Sequence, residues 1–397
     1  MKILLSTVIF PNRFETNRGV YIKKQAVELA RNSRLSIIVP VPYFPRFLKS
    51  SSLDFYARIP REDTIEGLPV KYPRFFIIPK IFRFLHGPFL FLSVVRFYHR
   101  TVVGERPDVL LGFWTFPDGF ANVLMARLFR LPVVIGCLGS DVNQLAKPFL
   151  QRKMISWTLR NCNQVIAVSE ALKTEIVERL HVPPKRVTVI PNGIEEGKFL
   201  PQDRDKMRQL LGLDRERRIA VCVARLEPVK GVDILVRAFS RVRTEGKLLV
   251  VVGDGGEMPH LQALVEELGI SDSVSLVGAK PHEEIPCWIG AADLVVLPSI
   301  SEGWPNVLME AFSCGKAVVA SRVGGVPEIV NAPTLGILVP PGDEVDLAKG
   351  IEEGLERHWD PEIIRARVKG RGWDVVAQEL RGELKKVVEC SSDRGST

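Results

Sequence analysis

Apolar residues along the chain gather into short continuous runs, and between them apolar positions recur at three- and four-residue spacing. The runs Lys2 to Ile9, Leu35 to Val39, Asp108 to Gly112, Pro132 to Gly136 and Gln164 to Val168 read as strands buried on both faces. Helical periodicity fills several of the gaps, as in Val20 to Arg31 and Gly119 to Arg130. Val187 to Asn192 closes this half with a strand and a turn. After a polar connection the rhythm restarts at Ile219 to Ala224, Lys247 to Val252, Ser273 to Gly278, Asp293 to Leu297, Ala317 to Ser321 and Gly336 to Val339. Alternating strands and helices of this kind build parallel sheets. The pattern predicts an α/β protein of two doubly wound domains in tandem, residues 1–195 and 196–372. The length of 397 residues suits two such domains.

Within the second half, Ser301 to Gly315 (SEGWPNVLMEAFSCG) follows the apolar run Ala292 to Leu297. Pro305 stands where a first helical residue would be, and Gly315 where a glycine follows a helix end. Pro298 to Trp304 is therefore a loop at a strand's carboxyl end that enters a helix N-terminus. Ligands of open α/β sheets bind at such edges, and a helix N-terminus favours phosphate. Asn306 and Glu310 share a helix face, while Glu302 sits on the loop. A diphosphate with hydroxyl-rich groups on both sides fits carboxylates placed this way. Acidic residues around a helix start also occur for purely structural reasons.

Three other loops fall at predicted carboxyl edges. Arg13 to Gly19 is a polar loop that ends in glycine before a helix and lacks the dinucleotide pattern GxGxxG. In Val133 to Asn143 the sequence Gly139-Ser140-Asp141 follows a strand; this predicts an Asp141 carboxylate pointing into a cleft, with a helix-capping role as the alternative. Ala224 to Gly231 (ARLEPVKG) carries Arg225 and Lys230 on either side of a short turn, where two cations can clamp a diphosphate.

Charge separates the halves. Through Glu195 there are 28 Lys and Arg against 14 Asp and Glu, and the remainder has 26 against 32. Gly67 to Gly104 contains no acidic residue, six Lys or Arg and nine Phe or Tyr. With the related fragment Tyr43 to Lys49, this composition suits an anionic membrane surface; a buried helix with solvated cationic ends is the alternative. No recognised nucleic-acid motif accompanies the charge, so no nucleic-acid partner is expected. Six scattered cysteines without a CxxC pair point to reduced thiols rather than a disulfide scaffold or zinc site. The opening MKILLSTVIF is too short for a signal peptide core and reads as a first strand. A cytoplasmic protein, peripheral at the inner face of the membrane, is the expectation.

Taken together, the GSD loop at Asp141, the SEALK segment at Ser169, PNG at Asn192, ARLEPVKG, VVGDG at Gly253, VSLVG at Gly278, SEGWPNVLMEAF and VGGVPEIV resemble the retaining, family-4 glycosyltransferases with their EX7E signature. The early PNRFETNRGVYIKKQ and GSDVN look closest to a branch of teichuronic-acid-type polysaccharide enzymes. The resemblance implies the GT-B architecture, two Rossmann-like domains facing across a cleft. The first would bind the acceptor and the second the nucleoside diphosphate sugar, with helix 373–390 packing back on the first domain. It further implies that Arg225 and Lys230 hold the diphosphate and Glu310 the ribose. Glu302 would meet the transferred sugar, and the main chain from Gly303 through Trp304 to Asn306 the distal phosphate and sugar. Gly278 and its neighbours would meet the base, and Gly19 would approach the phosphates. Glu302 and Asp141 would stabilise the reacting sugar, with no metal and no cofactor required. Relatives often carry histidine where this chain has Leu138.

Overall fold

The computed structural model describes residues 1–16, 18–43, 55–77 and 83–393. It divides into two compact units, residues 1–192 with the chain from Trp373 onward, and Gly193–Gly372.

The first unit has strands β1 (Lys2–Ser6), β2 (Arg34–Ile38), β3 (Val41–Tyr43), β4 (Glu62–Ile65), β5 (Leu68–Lys71), β6 (Arg74–Phe76), β7 (Val109–Phe113), β8 (Val133–Cys137), β9 (Gln164–Ala167) and β10 (Val187–Val189). Its helices are α1 (Val20–Arg31), α2 (Phe55–Arg58), α3 (His86–Glu105), α4 (Phe120–Phe129), α5 (Ser140–Asn143), α6 (Phe149–Asn161) and α7 (Glu170–Leu180). The main sheet runs β10-β9-β8-β7-β1-β2-β5-β4, parallel except for the β4–β5 hairpin at its edge. Strand order reverses between β1 and β7, so the loops after those strands flank a topological switch point. β7 and β8 are buried at every position, the mark of a strand covered on both faces.

The second unit has β11 (Arg218–Val223), β12 (Lys247–Val252), β13 (Val274–Gly278), β14 (Leu294–Leu297), β15 (Val318–Ser321) and β16 (Gly336–Val339). Its helices are α8 (Arg204–Leu211), α9 (Val232–Arg241), α10 (Met258–Glu267), α11 (Ile285–Ala291), α12 (Asn306–Ser313), α13 (Val326–Ile329), α14 (Glu344–Glu356) and α15 (Pro361–Ala366). The sheet is fully parallel in the order β13-β12-β11-β14-β15-β16, the doubly wound order of dinucleotide-binding folds. Its switch point lies between β11 and β14.

The last helix, α16 (Trp373–Asp393), belongs to the first unit. Trp373, Val376, Ala377, Leu380, Leu384 and Val387 join the core with Ile22, Ala26 and Leu29 of α1. The Trp373 ring stacks on Tyr21 at 5.9 Å.

The basic aromatic stretch Gly67–Gly104 resolves into β5, β6 and α3, with residues 78–82, and so Lys80, outside the described residues. Leu90, Val94, Tyr98 and Thr101 of α3 are buried, whereas Leu92, Arg96, Arg100 and Val103 are exposed. Arg74 is not a free surface cation. Its guanidinium donates to the Ile59 carbonyl, and burial lowers its pKa. Of Tyr43 to Lys49, residues 44–49 lie outside the described set. Among the described residues no helix is long and apolar enough to cross a membrane.

Candidate active site

The carboxyl edge of the second sheet is built by interlocked loops. After β11, the turn Ala224–Gly231 packs on the loop after β14, and the Ile300 N–H donates to the Val229 carbonyl at 2.9 Å. A side chain on Gly231, at φ 60, would stand 2.5 Å from the Pro298 carbonyl oxygen. On Gly324, at φ 49, it would stand 1.9 Å from the Glu302 carbonyl oxygen. Both positions therefore require glycine for close approach and for the left-handed backbone. The Gly325 N–H donates to Gly303 at 3.2 Å, tying the loop after β15 to the same assembly.

On this frame Lys230 Nζ donates to Glu302 Oε1 at 2.7 Å, and Ser299 Oγ donates to the same oxygen at 2.7 Å. Both charged side chains are largely buried, 20% and 8% exposed. A cation and a carboxylate held by hydrogen bonds at a switch point form a fixed electrostatic site rather than a solvated surface pair. Arg225 stands apart from this pair. Its side chain is exposed and bonds Glu227 at 2.7 Å. Among the described residues Trp304 Nε1 and Asn306 Oδ1, two and four positions after Glu302 in the chain, are buried without a hydrogen-bond partner, a donor and an acceptor left open at the helix entrance. Pro305 precedes α12 as its cap residue, and the helix has eight residues, so the stretch is shorter than the three turns its pattern suggests.

Glu310, four residues into α12 from Asn306, is buried and faces His282, whose Nε2 lies 3.4 Å from Glu310 Oε1. The other ring nitrogen contacts Lys198 Nζ at 2.5 Å, and the ring meets Phe199 at 5.6 Å edge-on. His282 follows Gly278, which ends β13 at φ 75 with open space where a side chain would be. Ser299 and His282 are the two residues at this edge that sequence reasoning missed. A serine three residues before Glu302, and a histidine just beyond a strand-ending glycine, were the available signals.

In the first unit Gly19 caps α1 at φ 65, where a side chain would come within 2.5 Å of the Ile9 carbonyl oxygen. The close folding of its own loop accounts for this glycine. Asp141 requires a correction. It does lie at the carboxyl edge after β8, but its carboxylate is wholly buried instead of facing outward. Oδ1 accepts from the N–H groups of Leu138 (3.0 Å) and Gly139 (2.9 Å), and Oδ2 accepts from Thr115 (3.1 Å). Both oxygens are used to join the loops after β7 and β8. Nor is it a helix cap in the usual sense, since the bonds run to residues before α5 and to another loop. Burial pushes its pKa up to about 6 against these backbone donors. Asp118, also fully buried, accepts from the Val8 N–H at 2.8 Å and is pushed up to about 8 by desolvation. Leu138 packs against the apolar core of this unit, an inward position that suits leucine. Burial also raises the thiols of Cys162, Cys222 and Cys314 to about 12, so none of these is a nucleophile at neutral pH.

The two Rossmann-like units, each with loops gathered at a switch point, define a GT-B glycosyltransferase fold. Anabaena Alr3699/HepE, crystallised with UDP, superposes with a TM-score of 0.72 over 97% of this chain and 100% of that one, at 21% identity. Two family models divide the chain between them: Glycosyltransferase Family 4 matches residues 28–198 and Glycosyl transferases group 1 matches residues 203–370. The chain belongs to this glycosyltransferase family. It is 28% identical over 376 residues to TuaC of Bacillus subtilis, a glycosyltransferase provisionally assigned to teichuronic acid biosynthesis, covering 91% of this chain and 92% of that protein. It is 33% identical over 236 residues to a D-inositol 3-phosphate glycosyltransferase of Thermobispora bispora, covering 55% of this chain and 54% of that relative's length.

Proposed function

We propose that the protein is a retaining hexosyltransferase, moving a sugar from a nucleoside diphosphate donor to a lipid-linked or polysaccharide acceptor at an anionic membrane surface. The observation that carries this reading is the Lys230–Glu302–Ser299 cluster at the switch point of the second sheet. In it a cation suited to a diphosphate stands beside a carboxylate suited to sugar hydroxyls. The second unit takes the donor and the first the acceptor. Lys230, joined by the exposed Arg225, stabilises the departing diphosphate and takes the electrostatic role that a metal ion plays elsewhere. Glu310 receives the ribose hydroxyls, and the open polar atoms of Trp304 and Asn306 lie where the donor's sugar end enters. Gly278 leaves room for the base.

In the front-face reaction the bond from the anomeric carbon to the diphosphate oxygen breaks as the acceptor oxygen bonds to the same face. The acceptor's proton passes to the departing phosphate oxygen. Asp141, buried and fully bonded, serves as a positioning residue for the acceptor unit's loops, without touching the sugar. The kinship to TuaC and the binding of UDP by HepE support this reading.

A panel of nucleoside diphosphate sugars, assayed for acceptor-dependent nucleotide release with the product's anomeric configuration read by NMR, tests it. One donor giving stoichiometric release and a product with the donor's configuration is expected. An inverted product would remove the retaining mechanism, and turnover without nucleotide release would replace transfer by epimerisation.

A further inference from the structure

The first unit carries a concave site whose lining includes none of the residues assigned above to the donor. A groove of about 610 Å³ runs along α6 and the carboxyl end of α7. Arg152, Lys153 and Arg160 line it from α6, and Arg179 from α7. From Val142 to Ser169 the sequence contains no acidic residue. Arg179 is paired with Glu175 at 2.7 Å. The side chains of Arg152, Lys153 and Arg160 are exposed and form no ion pair or hydrogen bond among the described residues. Nothing in the packing of α6 calls for them. Its inner face is made by Gln151, Ile155, Thr158 and Leu159. Like charges concentrated on one surface repel, so their natural complement is a multiply charged anion.

Apolar side chains decide which kind. At the start of α6, Phe149 and Leu150 stand 57% and 51% exposed. Lys153 Nζ lies 4.4 Å from the Phe149 ring and Arg152 lies 5.9 Å from it. Large apolar side chains ringed by unpaired cations suit the boundary between acyl chains and anionic headgroups. The surface also continues sideways. α4 packs against both α6 and α3, and the turn Arg83–Leu85 touches both α3 and α6. These elements add exposed Arg83, Arg96, Arg100 and Leu92.

We propose that the α6–α7 groove is the docking site for anionic phospholipid headgroups, with Phe149 and Leu150 inserted among the lipids. This rests on the membrane-surface part of the reading above and gives it a location. The basic aromatic stretch 67–104 alone does not, since much of α3 is committed to the core.

The test uses the full chain in sedimentation with vesicles of phosphatidylcholine alone or mixed with phosphatidylglycerol. Wild type is expected to bind the anionic vesicles at least tenfold more tightly, with the preference falling as salt rises. R152E/K153E/R160E is expected to lose that tenfold preference, and the milder R152Q/K153Q/R160Q to lose part of it, with unchanged thermal melting. F149A/L150A is expected to weaken binding while keeping the anionic preference. Equal binding of wild type and the charge-reversed variant, or no vesicle binding by wild type, overturns the proposal. So does loss of binding to a soluble polyanionic glycan in that variant with vesicle binding intact, which would make the groove a glycan site. Nucleotide release with a short water-soluble acceptor is measured on the same samples. Turnover without vesicle binding defeats only the docking site, and vesicle binding without turnover defeats only the transferase reading.

Discussion

At the residue scale, Lys230 and Glu302 are one unit rather than two independent ligands. Their side chains are 72 positions apart in sequence yet share a 2.7 Å bond in a largely buried setting. Removing either leaves the other's charge poorly solvated, at about 1.5–3 kcal/mol. Lys230→Ala and Glu302→Ala should therefore each destabilise the nucleotide-free protein, and the double variant should cost less than the sum by about 0.5–3 kcal/mol. Denaturant unfolding of the four proteins measures this, and strict additivity would mean that the bond contributes nothing. Glu310 has a separate environment with His282. Its replacement by Ala should weaken binding of free nucleoside diphosphate and of donor alike, whereas Glu302→Ala should spare nucleotide affinity and depress transfer. Calorimetric titration of both variants checks the division, and matching affinities would abolish it. The family signature picked out Glu302 and Glu310 because both lie on one short segment. It could not disclose Ser299 or His282, whose importance comes from the atoms they face.

At the scale of elements, two buried carboxyls hold the loops of the first sheet, Asp118 joining the loop after β7 to the one after β1 and Asp141 joining the loops after β7 and β8. Asp141 uses both oxygens on three backbone donors, so Asp141→Asn turns an amide group toward an N–H and should cost about 1–3 kcal/mol. A drop in melting temperature with a nearly normal Michaelis constant for donor is the expected pair of readings; an unchanged melting temperature would contradict the loop-joining role. Asp118 and Asp141 both have folded pKa values raised above the ordinary 3.8, to about 8 and about 6. Between about pH 4 and pH 8 the folded state thus holds more protons than the unfolded state, and stability from these groups falls as pH rises. Melting temperature should decrease across that window, most steeply between about pH 4 and pH 6, where both carboxyls hold a proton that the unfolded chain has lost, and less steeply up to about pH 8, where only Asp118 does. Asp118→Asn, which cannot ionise, should flatten the upper part. An equally steep slope in that variant would assign the pH dependence to other groups.

At the scale of the whole molecule, the chain leaves the first unit after Asn192, builds the second, and returns at Trp373. The returning α16 supplies six apolar side chains to a core that also contains α1 and the sheet. At about 1.5–3 kcal/mol for each buried side chain, their sum is on the order of a domain's entire stability. Ending the chain at Gly372 should therefore unfold the first unit and leave the second folded and able to bind nucleotide. Two melting transitions collapsing to one, with nucleotide protection retained, is the expected result; two intact transitions would show that α16 is dispensable. The sequence by itself determined the strand and helix rhythm, because burial on both faces demands short apolar runs and crossover helices demand amphipathic ones. It also placed the candidate loops, since each follows the carboxyl end of such a run. Only the tertiary structure decided the strand order that brings the β11 and β14 loops together, and hence the meeting of Lys230 with Glu302. It also decided that Asp141 turns inward, because one of its three donors, Thr115, comes from a loop 26 residues away. Periodicity reports which face of an element is buried, whereas the direction of a polar side chain depends on distant partners that no local pattern encodes.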